Sequence, residues 1–189
     1  MLFFTSGLFF DNNTVSRRRH FRDSSEMNRV IIENWNKVVC GSDKVYILGG
    51  VGEFGYLPEL SGEKRILISK SEYSFFESYV NGVTDVHDEA YDREMFETYV
   101  MQSYDVRGGV SFFPVQYSKL YSGRSVALST NGSLSSFDGY YNILGNIGDF
   151  QRVISNGINV DLSVNMLYPV SEVDIEDLIS RSSGCLIHE

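Results

Sequence analysis

The sequence predicts an α/β protein in which strands alternate with helices. Three short apolar runs, "LFFTS" (2–6), "KVYIL" (44–48) and "KRILIS" (64–69), are typical of buried strands. Between the first two lies "SSEMNRVIIENWNKVV" (24–39), whose apolar residues recur at helical spacing. These residues are Met27, Val30, Ile31, Trp35 and Val38. A strand, a helix and a second strand in this order predict a βαβ unit with parallel strands.

The ends of two helices carry capping signals. Asp23 and Glu26 form an acidic pair suited to the N-terminus of the first helix. A last helix, "EVDIEDLIS" (172–180), follows Ser171, and Asp174 stands three residues further on as an approximate capping box. Strand-like pieces precede it: "VSFFPVQYSKLY", "SVALST", "YYNILG" and "INVDLSVNML", separated by Gly, Asn and Ser turns.

Length and composition limit the classes of protein. A chain of 189 residues with 42% hydrophobic content can bury the core of one domain, and we expect residues 1–189 to form one. The formal net charge of −9 argues against a general nucleic-acid binder, because it repels phosphate backbones. The single dense basic segment, "RRRHFR" (17–22), fits either a grip on a phosphate or acidic partner or a solvated loop.

The cysteines and the hydropathy favour a cytoplasmic protein. Cys40 and Cys185 cannot make a disulfide framework or a four-cysteine zinc site. Cys40 has no paired histidine in the sequence and is interpreted as a small apolar filler. No apolar run approaches the roughly 18 residues that a membrane span needs, and no secretory signal is recognisable.

The middle of the chain is rich in acidic and aromatic residues. We expect two helical pieces within 71–109 and an inserted or diverged lobe at about 73–123. One of these helices would carry an apolar stripe of Met95, Phe96, Tyr99, Val100 and Tyr104. That stripe either covers the core or forms an exposed partner-binding face, with Met95, Phe96, Tyr99 and Tyr104 as the candidate contacts.

Several predicted strands end in turns of small residues. They are Ser6-Gly7, Leu48-Gly49-Gly50, Ser69-Lys70-Ser71, Ser129-Thr130-Asn131 and Leu144-Gly145-Asn146. Ligand sites in open α/β sheets lie at the carboxyl ends of strands, so we expect these five turns to converge on one place.

The order and context of these turns resemble the calcineurin-like metallophosphoesterases of the small bacterial and phage type. "TSGLFFDN" stands where that family has Ser-Asp-x-His-Phe-Gly-His, "VYILGG" where it has Leu-Gly-Asp, and "ILISKSEY" where it has Gly-Asn-His-Asp. "LSTN" corresponds to Leu-Ser-His, and "ILGNIG" to Leu-His-Gly-His-Ile-His. The resemblance covers residues 1–72 and 124–180, and it implies an α/β sandwich of two mixed sheets flanked by helices.

The resemblance also implies where the chemistry of that family is missing. Those enzymes bind two divalent metals through Asp, His and Asn at the strand ends, and a further His assists the attack of a metal-held hydroxide on phosphorus. The corresponding positions here are Gly7, Phe9, Gly50, Ser71, Glu72, Thr130, Asn146 and Gly148. Glycine and phenylalanine cannot hold a cation. We therefore expect a pseudoenzyme with no catalytic residues, no metal and no cofactor.

Carboxylates near the same strand ends leave one alternative open. Asp11, Glu53, Glu72 and Asp149 either rebuild a weak site for Mg²⁺ or Ca²⁺ or are solvated loop acids; no ligand spacing is recognisable among them.

The expected function is protein interaction, as a phage virion component or as a binder of a host factor. The 12 tyrosines and 13 phenylalanines support it, because aromatic residues are enriched at protein interfaces. One alternative is a metal-independent nucleotide- or phosphate-binding module that uses Ser71, Thr130, Asn131 and Asn146 as neutral hydrogen-bonding groups. Another is an acidic mimic of nucleic acid, suggested by "DVHDEAYDREMFE" (85–97).

Overall fold

Within the residues that it describes, the structure, a computed structural model, contains two mixed five-stranded sheets flanked by helices, which confirms the α/β class. It describes residues 1–68, 96–100, 115–130, 141–145, 151–154 and 157–185. Within these ranges the apolar runs that predicted the first three strands form strands, and the helical pattern between the first two forms a helix.

The first sheet contains four parallel strands and one antiparallel strand. The parallel strands are β1 (Leu2–Thr5), β2 (Lys44–Leu48), β3 (Glu63–Ile68) and β4 (Phe96–Val100), adjacent to one another in that order. The short strand β10 (Val170–Ser171) pairs with the other side of β1 in the antiparallel sense. The parallel pairing of β1 with β2 confirms the predicted βαβ unit.

The second sheet follows the order β5-β6-β7-β9-β8. Its strands are β5 (Val115–Lys119), β6 (Ser125–Ser129), β7 (Tyr141–Leu144), β8 (Val153–Ile154) and β9 (Gly157–Asn159). Strands β6, β7 and β9 are parallel to their neighbours within this group, and β5 and β8 are antiparallel to theirs.

Among the helices of the described ranges, the two that the sequence predicted begin at the side chains that it indicated. The helices are α1 (Asn13–Arg18), α2 (Ser24–Val38), a 3-10 helix (Phe54–Glu59) and α3 (Glu172–Cys185). The Asp23 carboxylate accepts a hydrogen bond from Glu26 N, and Glu26 in turn accepts one from Arg22 N. At α3, Asp174 N donates to Ser171 Oγ and Ser171 N donates to Asp174 Oδ2, which is a reciprocal capping box.

Strands β1 and β2 of the first sheet bury side chains on both faces. Because successive residues of a strand point to opposite faces, Phe3 packs in the cluster that contains Trp35 of α2, while Phe4 packs in a second cluster. The second cluster also holds Leu128 and Ile143 of the second sheet. Strand β1 therefore lies between α2 and the second sheet.

Two predictions for the middle and the tail of the chain are wrong. Residues 96–100 form the strand β4, parallel to β3, and not part of a helix, so Phe96, Tyr99 and Val100 do not form a helical stripe. Strands β4 and β5, which lie within 73–123, belong to the first and the second sheet respectively, and the inserted or diverged lobe stays a prediction. In the tail, the strand predicted over "INVDLSVNML" ends at Asn159, and turns follow.

Within the described ranges, no helix is both long enough and apolar enough to traverse a lipid bilayer.

Candidate functional site at the strand ends

Four of the five small-residue turns meet at one edge of the two sheets, as predicted. In the first sheet, Gly7 N donates to Gly49 O at 3.2 Å. In the second, Gly145 N donates to Ser129 O at 2.9 Å. The two sheets touch here, because a Cβ atom added to Gly145 would lie 2.5 Å from Leu48 O. The fifth turn, 69–71, lies outside the described residues.

The backbones of Gly7 and Gly50 approach each other too closely to leave room for side chains. Both residues have positive φ angles, +70° and +68°. A Cβ atom on Gly50 would lie 2.9 Å from Gly7 Cα and 3.2 Å from Phe9 Cζ. A Cβ atom on Gly7 would lie 2.4 Å from Asp161 Oδ2. Any side chain at either position would therefore force its neighbours to move.

The guanidinium of Arg19 lies in this site. Its Nη2 donates to Gly7 O at 2.6 Å, and its Cζ lies 5.7 Å from the centroid of the Phe9 ring, within cation–π range. The side chain of Arg19 is only 8% exposed. The arginines of the basic segment 17–22 therefore lie in different environments. Arg19 points into the site, whereas Arg17 and Arg18 are exposed at the end of α1.

Asp161 and Ser163 hold the opposite side of the guanidinium. Arg19 Nη2 lies 3.6 Å from Asp161 Oδ1, and Arg19 Nε and Nη2 both donate to Ser163 Oγ, at 3.1 and 2.9 Å. Asp161 Oδ1 also accepts from Ser163 N at 2.8 Å. Burial lowers the pKa of Arg19, and the Asp161 carboxylate opposes that shift. The guanidinium keeps its proton at any physiological pH, so the site contains its own cation and a carboxylate to balance it.

Strained backbone surrounds this cluster. In the described ranges, the residues other than glycine with positive φ are Phe9, Asp11, His20, Met166 and Leu167. All five lie within six residues of Gly7, Arg19 or Asp161 in the sequence. A non-glycine residue in this conformation costs on the order of 1 kcal/mol or more and persists only where the surrounding structure imposes it.

Asp11 and Glu53, two of the carboxylates considered as metal ligands, are engaged in hydrogen bonds. Asp11 Oδ1 accepts from Asn28 Nδ2 at 2.8 Å and from Tyr56 OH at 3.1 Å. Glu53 Oε1 accepts from Gly55 N at 3.2 Å at the start of the 3-10 helix. Across the described parts of the chain, no group of three or more His, Cys, Asp or Glu residues could hold a metal ion.

The remaining predicted site residues divide between buried and undescribed positions. Thr130 follows β6 and is 3% exposed. The other candidates fall outside the described ranges: Ser71, Glu72, Met95, Tyr104, Asn131, Asn146, Gly148 and Asp149, together with the acidic segment 85–95. Phe96 and Tyr99 lie in β4.

Sequence reasoning missed the residues that complete the cluster. The pattern of "INVDLSVNML" predicts a strand over Asp161 and Ser163, and the basic segment 17–22 fits either a grip on a phosphate or acidic partner or a solvated loop, with nothing that singles out Arg19. The sequence does contain one signal, since Asp161 follows the strand-like "INV" in the same way that the small-residue turns follow their strands. Ser6 and Asp161 form an isolated parallel bridge, which brings this segment to the end of β1.

Comparison with known proteins identifies the fold alone. No protein-family model matches the chain, and neither does any curated protein. A similar solved structure is that of the protein of unknown function AQ665 from Aquifex aeolicus, with 17% sequence identity and a TM-score of 0.57. The similarity covers 94% of this chain and 98% of the other.

Proposed function

We propose that the chain is a non-catalytic protein of metallophosphoesterase-like architecture that acts by binding another protein. One observation carries the proposal: Arg19 places a buried guanidinium against Gly7, where the resemblance expects a metal-binding aspartate. The two-sheet fold and the convergence of the strand ends support the architecture.

Electrostatics supports the absence of phosphodiesterase chemistry. A two-metal mechanism needs carboxylates and imidazoles that hold two cations beside the nucleophile and the leaving group. Here a fixed positive charge lies 2.6 Å from Gly7 O, and the Asp161 carboxylate already faces it. A divalent ion at this place would be repelled by the guanidinium, and the described residues offer no group of carboxylates or imidazoles to offset that repulsion.

A nucleotide- or phosphate-binding module at the same site is less favoured. Arg19 is the obvious group to hold a phosphate, but its Nε and Nη2 already donate to Gly7 and Ser163. Thr130 belongs to the neutral hydrogen-bonding groups expected for such a module and lies in the described ranges. It is 3% exposed and cannot present its hydroxyl to an open pocket without rearrangement.

The identity of the partner rests on the resemblance to the phage type. It suggests either a component of a phage particle or a protein that binds a host factor in the cytoplasm. The aromatic residues of 73–123 stay candidates for such a contact, now with Phe96 and Tyr99 on a strand of the first sheet.

Hydrolysis of bis(4-nitrophenyl) phosphate by the full chain with Mn²⁺ or Mg²⁺ tests the proposal. We expect the rate to equal that of buffer and metal alone. Turnover well above that background, reduced by Asp161→Asn or Glu72→Ala, would overturn the proposal. Asp177→Asn is the matched control, since Asp177 is exposed on α3 and pairs with Arg181.

A further inference from the structure

We propose that the groove between α2 and the 3-10 helix is a docking surface for a basic, partly apolar segment of a partner protein. The inference rests on the proposed function, because it identifies where a protein-binding chain would receive its partner. The groove lies on the outer side of α2 and is separate from the Arg19 cluster.

The groove has an apolar floor and a polar rim. It encloses about 290 Å³, and Ile32 of α2 and Tyr56 of the 3-10 helix line it. Both side chains are half-buried and pack against the core cluster that contains Trp35. Arg29, Glu33 and Glu59 lie around them. Such a floor suits one apolar side chain of an incoming peptide.

Hydrogen bonds and ring stacking hold the floor in place. Tyr56 OH donates to Asp11 Oδ1, which also accepts from Asn28 of the groove wall. The ring of Tyr56 stacks on that of Phe10, with 5.0 Å between their centroids. Because contacts within the chain hold Tyr56, binding does not have to order the floor.

The charge of the groove selects a cationic occupant. Arg29 pairs with Glu33 at 2.9 Å, so the charges of these two side chains offset each other. Glu59 is exposed, and its carboxylate has no ion pair within the described residues. Asp11 adds a further negative charge behind Tyr56. A Lys or Arg side chain in the groove would find the Glu59 carboxylate uncompensated.

The test uses a capped hexapeptide that alternates leucine and arginine, with a leucine–glutamate peptide as the charge-inverted probe. Each is titrated into the full chain, with amide NMR shifts and the Kd as readouts. We expect the arginine peptide to shift resonances of residues 25–33 and 54–59, and the glutamate peptide to shift none of them. Glu59→Gln should weaken binding roughly two- to fivefold, the loss of one exposed ion pair.

The control variant is Asp177→Asn, which removes the same single negative charge from a remote surface. Equal weakening by the two variants, or shifts spread over the whole surface, would overturn the docking site and indicate general attraction to an acidic protein. Unchanged binding by Glu59→Gln would also overturn it. Phosphodiester hydrolysis by a chain that still binds the peptide in the groove would refute the proposed function alone.

Discussion

At the scale of single residues, Arg19 connects segments that are far apart in the sequence. Its guanidinium joins Gly7, which follows β1, to Asp161 and Ser163, which follow β9. The side chain is 8% exposed, so these contacts form away from most of the solvent. Contacts to a buried charge contribute more than surface contacts, because each unpaired partner would pay its desolvation cost alone.

Replacing Arg19 with alanine should lower the free energy of unfolding by about 3 kcal/mol, because Gly7 O would lose its charged donor and the Asp161 carboxylate its ion-pair partner. Arg19→Lys should lower the free energy of unfolding by less than Arg19→Ala does, since the ammonium keeps the charge but cannot reproduce the planar fork of the guanidinium. Urea denaturation measures both. Arg18→Ala, at the exposed last residue of α1, should stay within about 0.5 kcal/mol of the unmodified chain. Equal effects at 18 and 19 would contradict this account.

A comparison of Gly50 and Gly123 distinguishes the cost of an unfavourable backbone conformation from the cost of steric crowding. Both have positive φ, but a Cβ atom on Gly123 would meet nothing within 4 Å, whereas one on Gly50 would meet Gly7. Gly123→Ala should therefore cost about 1 kcal/mol from conformation alone. Gly50→Ala should cost about 3 kcal/mol, because overpacking adds to that strain. Thermal unfolding of the two variants gives the comparison, and similar losses would show that the glycine contact is not tight.

At the scale of elements, Glu172 links three parts of the fold from the first residue of α3. The residue is 6% exposed. Its Oε1 accepts from Leu2 N at the start of β1, and its Oε2 accepts from Tyr121 N in the turn between β5 and β6, each at 3.0 Å. One carboxylate therefore connects α3 to both sheets.

Glu172→Gln should lower the free energy of unfolding by about 2 kcal/mol, because the amide nitrogen would face a backbone N–H that needs an acceptor. Asp177→Asn on the same helix is the control and should change stability by less than about 1 kcal/mol, as expected for an exposed ion pair. Chemical denaturation followed by circular dichroism measures both. A Gln variant as stable as the control would mean that the two hydrogen bonds contribute little.

At the scale of the whole molecule, sequence patterns predicted two kinds of element. They are helices whose apolar periodicity extends over several turns, and strands whose short apolar runs are bounded by turn residues. The helix that carries Trp35 and the parallel strands β1 and β2 are of these two kinds. The prediction for residues 96–100 was wrong because this segment is too short for its pattern to be decisive. Apolar residues at 96, 99 and 100 fit one turn of helix as well as five residues of strand. Tertiary pairing with β3 decided between them.

The candidate site was predictable in its location but not in its contents. Small residues after the strands predicted the convergence, because parallel strands bring their carboxyl ends to one edge. The inward direction of Arg19 depends on Asp161 and Ser163, which are more than 140 positions away along the chain. No local pattern distinguishes Arg19 from Arg18.

The two sheets should unfold as one unit. Ile143 of β7 is fully buried in the core cluster between the sheets, and Trp35, the one tryptophan of the chain, is buried on the far side of the first sheet. Ile143→Ala should cost about 3 kcal/mol. The urea midpoint of Trp35 fluorescence should fall together with that of circular dichroism. A fluorescence midpoint that stayed in place would indicate that the sheets unfold separately.

The segments that follow β1 and β2 continue to pair beyond the ends of the strands. Phe9 N donates to Gly50 O at 2.8 Å, Phe10 N to Val51 O at 3.0 Å, and Glu53 N to Phe10 O at 3.1 Å. Loops that open and close over a bound ligand generally move on the microsecond to millisecond timescale, and opening releases such hydrogen bonds. We therefore expect the amide hydrogens of Phe9 and Phe10 to exchange with solvent as slowly as those of β1, so that the segments after β1 and β2 would open only when the sheet itself opens.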